Sequence, residues 1–411
     1  MTIENIVGNG IYNSQVASLI GELSKRDDLE ISVAHFYPLL GVLRTKAKKR
    51  VSYPYIQEYN LPHNTKLFLF PILIPTKFFY LSAIILPFFI FVSSVRLGKF
   101  LYFKNYDIIH CRSYPAALLA VITKKFFKLS FKVHFDTRGY YPEEGILSKS
   151  FFLKKVDFKL WKRIESFLFK TCDSISFVSF RALNKALNSK GREVFHLIPP
   201  LVDLNKFKFS KKERKHIRRK FKIEDDEIVI AFCGSFSVWY DIEDIFRLYD
   251  LFKKEKRVRI LIISNAVEKK LYNLIKKYSV SEDDILKFSL PHNKVANYLS
   301  IADIAVIPHR NPDTSIRKTI IEDAVSIKLG EYAAIGIPSL VPNHSKECRG
   351  IIERYNSGIV YKKNKDGSLY MNNFFSNISN FKKGCKKATE YFCLERNSLE
   401  YVRIYKKLVK V

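Results

Sequence analysis

No two of the six cysteines stand in a C-x2-C pair. Cys111, Cys172, Cys233, Cys348, Cys385 and Cys393 are scattered, which argues against a zinc site or a dithiol redox motif. Several sit beside apolar residues and read as small core side chains, and a reducing compartment fits the set. The chain also lacks the basic start and apolar core of a secretory leader, since it begins Met1-Thr2-Ile3-Glu4-Asn5. Acid is scarce. Against 70 Lys and Arg stand 40 Asp and Glu, a formal charge of +30. A field of that sign favours nucleic acid, acidic headgroups or phosphorylated small molecules. No zinc-finger or helix-turn-helix pattern supports the first. No DxD-type metal motif is convincingly placed either: Asp225-Asp226-Glu227 and Glu282-Asp283-Asp284 precede strands and read as solvated loops.

What is present is the composition of a folded protein, 47% hydrophobic and 27% charged. At 411 residues the chain exceeds what one hydrophobic core serves, so two domains are expected. Residues 67–98 are the most apolar part, and residues 78–95 carry no charge. Pro87 interrupts that run, and Lys77 and Arg96 bracket it. A helix of the first domain and a patch in the membrane interface are both open readings, with a true span the least favoured. The basic cluster Lys46, Lys48, Lys49 and Arg50 just upstream favours the interfacial one.

From residue 107 onward, strand-like runs alternate with helical stretches. Ile108-Ile109-His110 and Phe131-Lys132-Val133-His134-Phe135 read as strands, residues 116–127 and 151–170 as helices. After Pro199-Pro200 and the basic run KKERKHIRRK, the pattern restarts with Ile228-Val229-Ile230-Ala231-Phe232. Strands alternating with helices imply parallel β-α units and a doubly wound sheet, here twice. The expected organisation is α/β with an N-terminal Rossmann-like domain at 1–205 and a C-terminal one at 206–395. A last segment, 396–411, forms a helix that can pack back on the first domain.

In such sheets, ligands bind at the carboxyl ends of strands, where loops and helix N-termini supply N–H groups. Three loops fit. Gly8-Asn9-Gly10 precedes a helix at 14–23, Gly234-Ser235 follows a strand, and Ser326-Ile327-Lys328 opens the helix holding Glu331. At the third, first-turn N–H groups and the Lys328 ammonium can hold a diphosphate while Glu331 accepts from ribose hydroxyls. The bland alternative is a capping or surface glutamate.

SIKLGEYAAIGIPSLVP (residues 326–342), preceded by YLSIADIAVIP (298–308), resembles the donor-binding region of family 4 glycosyltransferases, retaining enzymes of the two-domain GT-B fold. YDIIHCRSYPAALLA (106–120) is similar to that family's first-domain strand and helix. The stretch from 176 to 207 resembles its domain crossover, and residues 229–249 the opening of its second domain in a bacterial branch. That branch also has a D-x-R-G loop, here Asp136-Thr137-Arg138-Gly139. The motifs are collinear over most of the chain. The resemblance implies two Rossmann-like domains facing a central cleft.

Carried over by residue, Glu331 resembles the second glutamate of the family's Glu-x7-Glu motif, which contacts the nucleotide ribose. The first falls on Asp323, a departure for which neighbouring Glu322 is a substitute. Lys328 matches a frequent lysine, and Ser326, Ile327 and Leu329 complete the helix opening. The cation usual after the Gly234-Ser235 loop is missing, leaving Arg310 or Arg317 to replace it. In the first domain Gly8 and Gly10 would form a diphosphate loop. Asp136 aligns roughly with a catalytic-loop histidine, and His134 points to the same side of its strand. Arg138, with Glu143 or Glu144, is placed to orient an acceptor or the donor phosphate. A core position for His134 and a buried Asp136–Arg138 pair are the competing explanations.

The implied activity is retaining transfer from a nucleotide-diphosphate sugar, a co-substrate rather than a cofactor, without a metal. The implied acceptor is a saccharide or lipid-linked saccharide of bacterial surface polysaccharide synthesis. The expected location is cytoplasmic, peripheral on the anionic inner face of the plasma membrane, with no nucleic acid as partner. A nucleotide-sugar epimerase of the same fold and a non-catalytic nucleotide- or membrane-binding relative are the alternatives.

Overall fold

The computed structural model describes residues 1, 12–38, 61–72, 82–148, 153–187, 194–265, 268–362 and 368–410. Gly8 and Gly10, the basic cluster at 46–50, and residues 78–81 of the uncharged run lie outside them. The chain divides into two compact units, Met1–Pro199 with Leu394–Val411, and Pro200–Cys393. The divisions fall at 199/200 and 393/394, against 205/206 and 395/396 in the sequence reading.

In the first unit, β1 (Ser32–Pro38) and β2 (Lys66–Ile72) pair in parallel with Ser32 beside Lys66. A second sheet orders β3 (Ile108–Arg112), β4 (Lys132–Asp136), β5 (Ser174–Phe177) and β6 (Phe195–Leu197), all parallel. Around them lie α1 (Ser18–Leu23), α2 (Leu86–Tyr102), α3 (Tyr114–Phe126), α4 (Tyr141–Leu147), α5 (Lys154–Thr171) and α6 (Phe180–Leu187). The core is built from Phe89, Leu97, Leu119, Phe135, Trp161 and Ile175 with their neighbours.

The apolar window 67–98 is not one helix. It holds strand β2 and most of helix α2. Pro87 lies in the first turn of α2, where a missing N–H leaves no helical acceptor unpaired, so it starts the helix rather than interrupting it. No helix among the described residues is long and apolar enough to cross a membrane.

The second unit has one six-stranded parallel sheet of β7 (Ile228–Cys233), β8 (Val258–Ile263), β9 (Ile285–Phe288), β10 (Ile304–Val306), β11 (Ser339–Pro342) and β12 (Gly358–Tyr361). Their order is β12-β11-β10-β7-β8-β9. Counted from β7, that is the 3-2-1-4-5-6 order of a dinucleotide-binding fold, whose winding reverses between β7 and β10. Both faces of the sheet are covered. Val229 and Ala231 enter one core with Leu261 and Tyr332, while Ile228, Ile230 and Phe232 enter the other with Phe246 and Ile260. This two-sided burial explains why β7 reads as an unbroken apolar run.

The covering helices are α7 (Lys211–Lys220), α8 (Glu243–Phe252), α9 (Glu268–Lys277), α10 (His292–Leu299), α11 (Ser315–Asp323), α12 (Ile327–Ile335), α13 (Lys346–Tyr355) and α14 (Ser368–Phe392). Helix α7 is the basic run. Its Ser210 cap accepts from the Glu213 N–H, and Arg214 and Arg218 reach Asp303 at 2.7 and 3.3 Å. Asp303 in turn accepts from the Val229 N–H, which ties the helix to β7. Glu227 corrects the reading of 225–227 as solvated loop: it is buried, 2.7 Å from Arg259 and 3.1 Å from Arg257. Helix α15 (Leu394–Val409) belongs to the first unit and packs on α1 and β3.

Candidate donor and catalytic sites

In the second unit the candidate residues gather where the sheet winding reverses. β7 ends at Cys233, and Gly234 follows with φ +146°, a conformation that side chains rarely adopt. A Cβ there would clash with Lys328 Cε. Glycine therefore lets the lysine of α12 lie directly on the loop after β7. The Lys328 ammonium donates to Tyr240 Oη at 3.2 Å and sits 4.9 Å from that ring's centre. Burial disfavours its charge, but Tyr240, Glu331 and Cys233 outweigh burial and raise its pKa above the usual lysine value.

Tyr240 stacks on His309 at 5.5 Å, just past β10. His309 Nδ1 meets Ser345 Oγ at 2.8 Å, and burial, with Lys328 and His344 adding, pulls its pKa down to about 3. The Cys233 N–H donates to Tyr332 Oη at 2.9 Å, which fixes β7 against α12. Helix α12 ends at Gly336, in the left-handed region at φ +79°, and Pro338 stops it before β11.

The opening of α12 has donors to spare. Ser326 caps it without a side-chain bond, and its buried Oγ has no hydrogen-bond partner among the described residues. The Leu329 N–H bonds back to Ser326 O at 3.0 Å, and its side chain is core. Leu329 thus supplies no contact, and the Ile327 and Lys328 N–H groups are those that helix geometry leaves without an intrahelical acceptor. Glu331 is buried one turn on, with His292 Nε2 3.8 Å from its Oε1. Asp323, at the end of α11, is buried, while Glu322 is paired with Lys346 at 3.0 Å. Ser235 is exposed beside Gly234.

Among the described residues Arg310 makes no hydrogen bond or ion pair with Lys328 or Glu331. Its N–H donates to Trp239 O at 2.9 Å, and its side chain lines a hollow of about 410 Å³ with Asp241, Glu243, Asn273 and Asn311. Its Nε is buried without a partner among the described residues. Arg317 is turned to Asp313. Tyr240, His292 and His309 are the site residues that sequence reasoning missed. The only sequence signal was position, since Tyr240 and His309 fall in loops that follow β7 and β10.

In the first unit, Asp136, His134 and Arg138 come together, but inward. Asp136 Oδ2 accepts from Arg138 Nε at 2.5 Å and from Tyr401 Oη at 3.3 Å; Oδ1 accepts from Ser176 Oγ at 3.0 Å. His110 Nε2 lies 3.5 Å from the same carboxylate. Burial alone would raise the Asp136 pKa, but Arg138, His110 and Arg112 hold it far below the usual carboxylate range. His134 has no accessible surface and lies against Ser174 and Ser176 at 3.1 and 3.2 Å. Burial lowers its pKa well below the usual value. Arg138, at φ +57°, also donates to Tyr401 Oη at 2.7 Å. Glu143 pairs with Lys162, and Glu144 accepts from the Tyr140 N–H. Tyr401 and Tyr405 of α15, the latter 2.6 Å from His110 Nδ1, close the cluster from a segment more than 260 residues away.

Residues 213–378 match the model of the family described as glycosyl transferases group 1. The match lies wholly within the second unit. Lys328, Glu331, Asp323, Arg310 and Gly234 all lie inside the match. No curated protein sequence matches the chain. Among solved structures, sucrose-phosphate synthase from Thermosynechococcus elongatus is similar at TM-score 0.67 and 13% identity, covering 95% of this chain and 92% of that one. A glycosyltransferase from Rickettsia africae gives 0.66 and 15%, with 98% and 96% covered. HepE of Anabaena, in complex with UDP-glucose, gives 0.63 and 12%, with 98% of each chain covered. At these identities the likeness is one of fold, and the fold is GT-B, two Rossmann-like α/β units.

Proposed function

We propose that the protein is a retaining glycosyltransferase that takes a nucleotide-diphosphate sugar as donor. The observation that carries this is the meeting of the Gly234 loop, the Lys328 ammonium and the open N-terminus of α12 where the sheet winding reverses, inside the family match. In the proposed reaction the bond from the anomeric carbon to the diphosphate breaks, a bond from that carbon to the acceptor hydroxyl oxygen forms, and the hydroxyl proton passes to the departing diphosphate. Lys328 and the α12 N–H groups stabilise the departing charge electrostatically, in place of a metal. Glu331 accepts from the ribose, with Asp323 in support. Asp136 and His134 shape the D-x-R-G loop from beneath rather than touching substrate. The acceptor is a saccharide or lipid-linked saccharide of bacterial surface polysaccharide, met by a peripheral enzyme at an anionic membrane face.

The test is thermal-shift screening against UDP-, ADP-, GDP- and CMP-sugars, because a ligand of the folded state raises its stability. A shift for one donor that Glu331→Ala removes is expected, unchanged by EDTA. An identical shift in wild type and variant would sink the donor assignment. Product formed without any acceptor would instead identify an epimerase.

A further inference from the structure

The outer face of α2 presents an apolar surface that the described residues leave exposed. Ile84 in the turn before it, Phe88, Phe91, Tyr102 and Phe103 are all more than half exposed, from 53% for Phe88 to 81% for Phe103. Positions 88, 91, 95 and 102 are three, four and seven apart, so they fall on one stripe. Leu86, Phe89, Leu97 and Leu101 turn to the core instead. Phe127 places its ring where a Cβ on Gly98 would stand, which draws the end of α3 alongside. That adds Phe126, 71% exposed. Soluble surfaces scatter large apolar residues singly; aligned ones mark a contact.

Charge identifies the partner. Between Glu58 and Asp107 the sequence holds no Asp or Glu, and after Asp107 none until Asp136. Lys99, Lys104, Lys125 and Lys128 are exposed around the stripe. A second copy of this chain would bring lysine against lysine on a protein already at +30. Phosphate headgroups above an acyl layer complement both halves of the surface. At 17 residues, about 25 Å by helical rise, α2 is suited to lying in the interface rather than crossing it.

We propose that α2 docks in the plane of an anionic bilayer, inserting Ile84, Phe88, Phe91, Tyr102 and Phe126 while the flanking lysines meet phosphates. This locates the membrane contact of the preceding reading on particular residues, and its test uses neither donor nor acceptor. Sedimentation with phosphatidylcholine vesicles, with and without phosphatidylglycerol, is measured at low and high salt. Wild type is expected to bind only the anionic vesicles, less at high salt. Phe88→Ser/Phe91→Ser/Phe126→Ser is expected to lose at least about tenfold in partitioning, with unchanged melting and an unchanged donor-induced thermal shift. Lys99→Glu/Lys125→Glu, with every aromatic intact, serves as the independent second variant and is expected to weaken binding most at low salt. Undiminished vesicle binding in both variants overturns the proposal. So does a wild-type dimer that the serine variant dissociates.

Discussion

The Asp136 cluster of the first unit and the Lys328 cluster of the second differ in what they leave unsatisfied. Around Asp136, both carboxylate oxygens are occupied, and the arginine, histidines and tyrosines turn to one another. Around Lys328, the Ser326 hydroxyl has no partner among the described residues, and the first N–H groups of α12 have no intrahelical acceptor. Buried polar groups are nearly always paired, so an orphan at the mouth of a sheet points to a ligand. A closed network of paired charges points to architecture. The same residue types thus carry opposite meanings in the two units.

The sharpest way to break this contrast is Asp136→Asn. If the cluster is architectural, the change strands the Arg138 charge in the interior and costs about 3–5 kcal/mol, read by denaturant unfolding. A loss under about 1 kcal/mol would return Asp136 to the list of candidates for chemistry. The Asp136 contribution itself is full at neutral pH. It declines only below about pH 4, where the unfolded carboxylate protonates, because its folded pKa is depressed far below that.

A second measurement concerns His309, whose folded pKa of about 3 lies below an unfolded value near 6.5. The unfolded chain therefore binds the proton first, and stability falls as pH drops from 6.5 towards 3. Between pH 7 and 5 wild type should lose about 2 kcal/mol more than His309→Asn, by proton linkage. Parallel pH profiles would show that His309 is not held neutral by its surroundings.

Lys328→Ala tests the open cluster. Its removal should weaken nucleotide-sugar binding about tenfold or more, as for a hydrogen bond to a charged group, measured by calorimetry. Equal affinity would mean that the open donors serve no diphosphate. The smallest effect is expected of Tyr401→Phe. Asp136 keeps Arg138 and Ser176, so the loss should be about 0.5–1.5 kcal/mol in the unfolding of the first unit. A larger loss would make α15 the main clamp on the D-x-R-G loop.

Much of the second unit was legible because two-sided burial writes itself as unbroken apolar runs such as residues 228–232. The strand β1 and the helices α11, α13 and α14 went unassigned in the sequence reading, their patterns being mixed or short. Residue 67–98 hydrophobicity was legible as a property, but a strand and a helix share it, and periodicity alone does not separate them there. Gly234 and Lys328 were readable as candidates; that one lies upon the other was not.

The alternation of strands with helices and the excess of basic residues follow from the sequence alone, since each rests on local periodicity or on composition. Which charges are closed off and which stay open was decided only by tertiary structure. Tyr240 reaches Lys328 across 88 positions and Tyr401 reaches Asp136 across 265. Pairing at such separations depends on where the sheet order and the returning helix α15 bring the side chains, which no local pattern encodes.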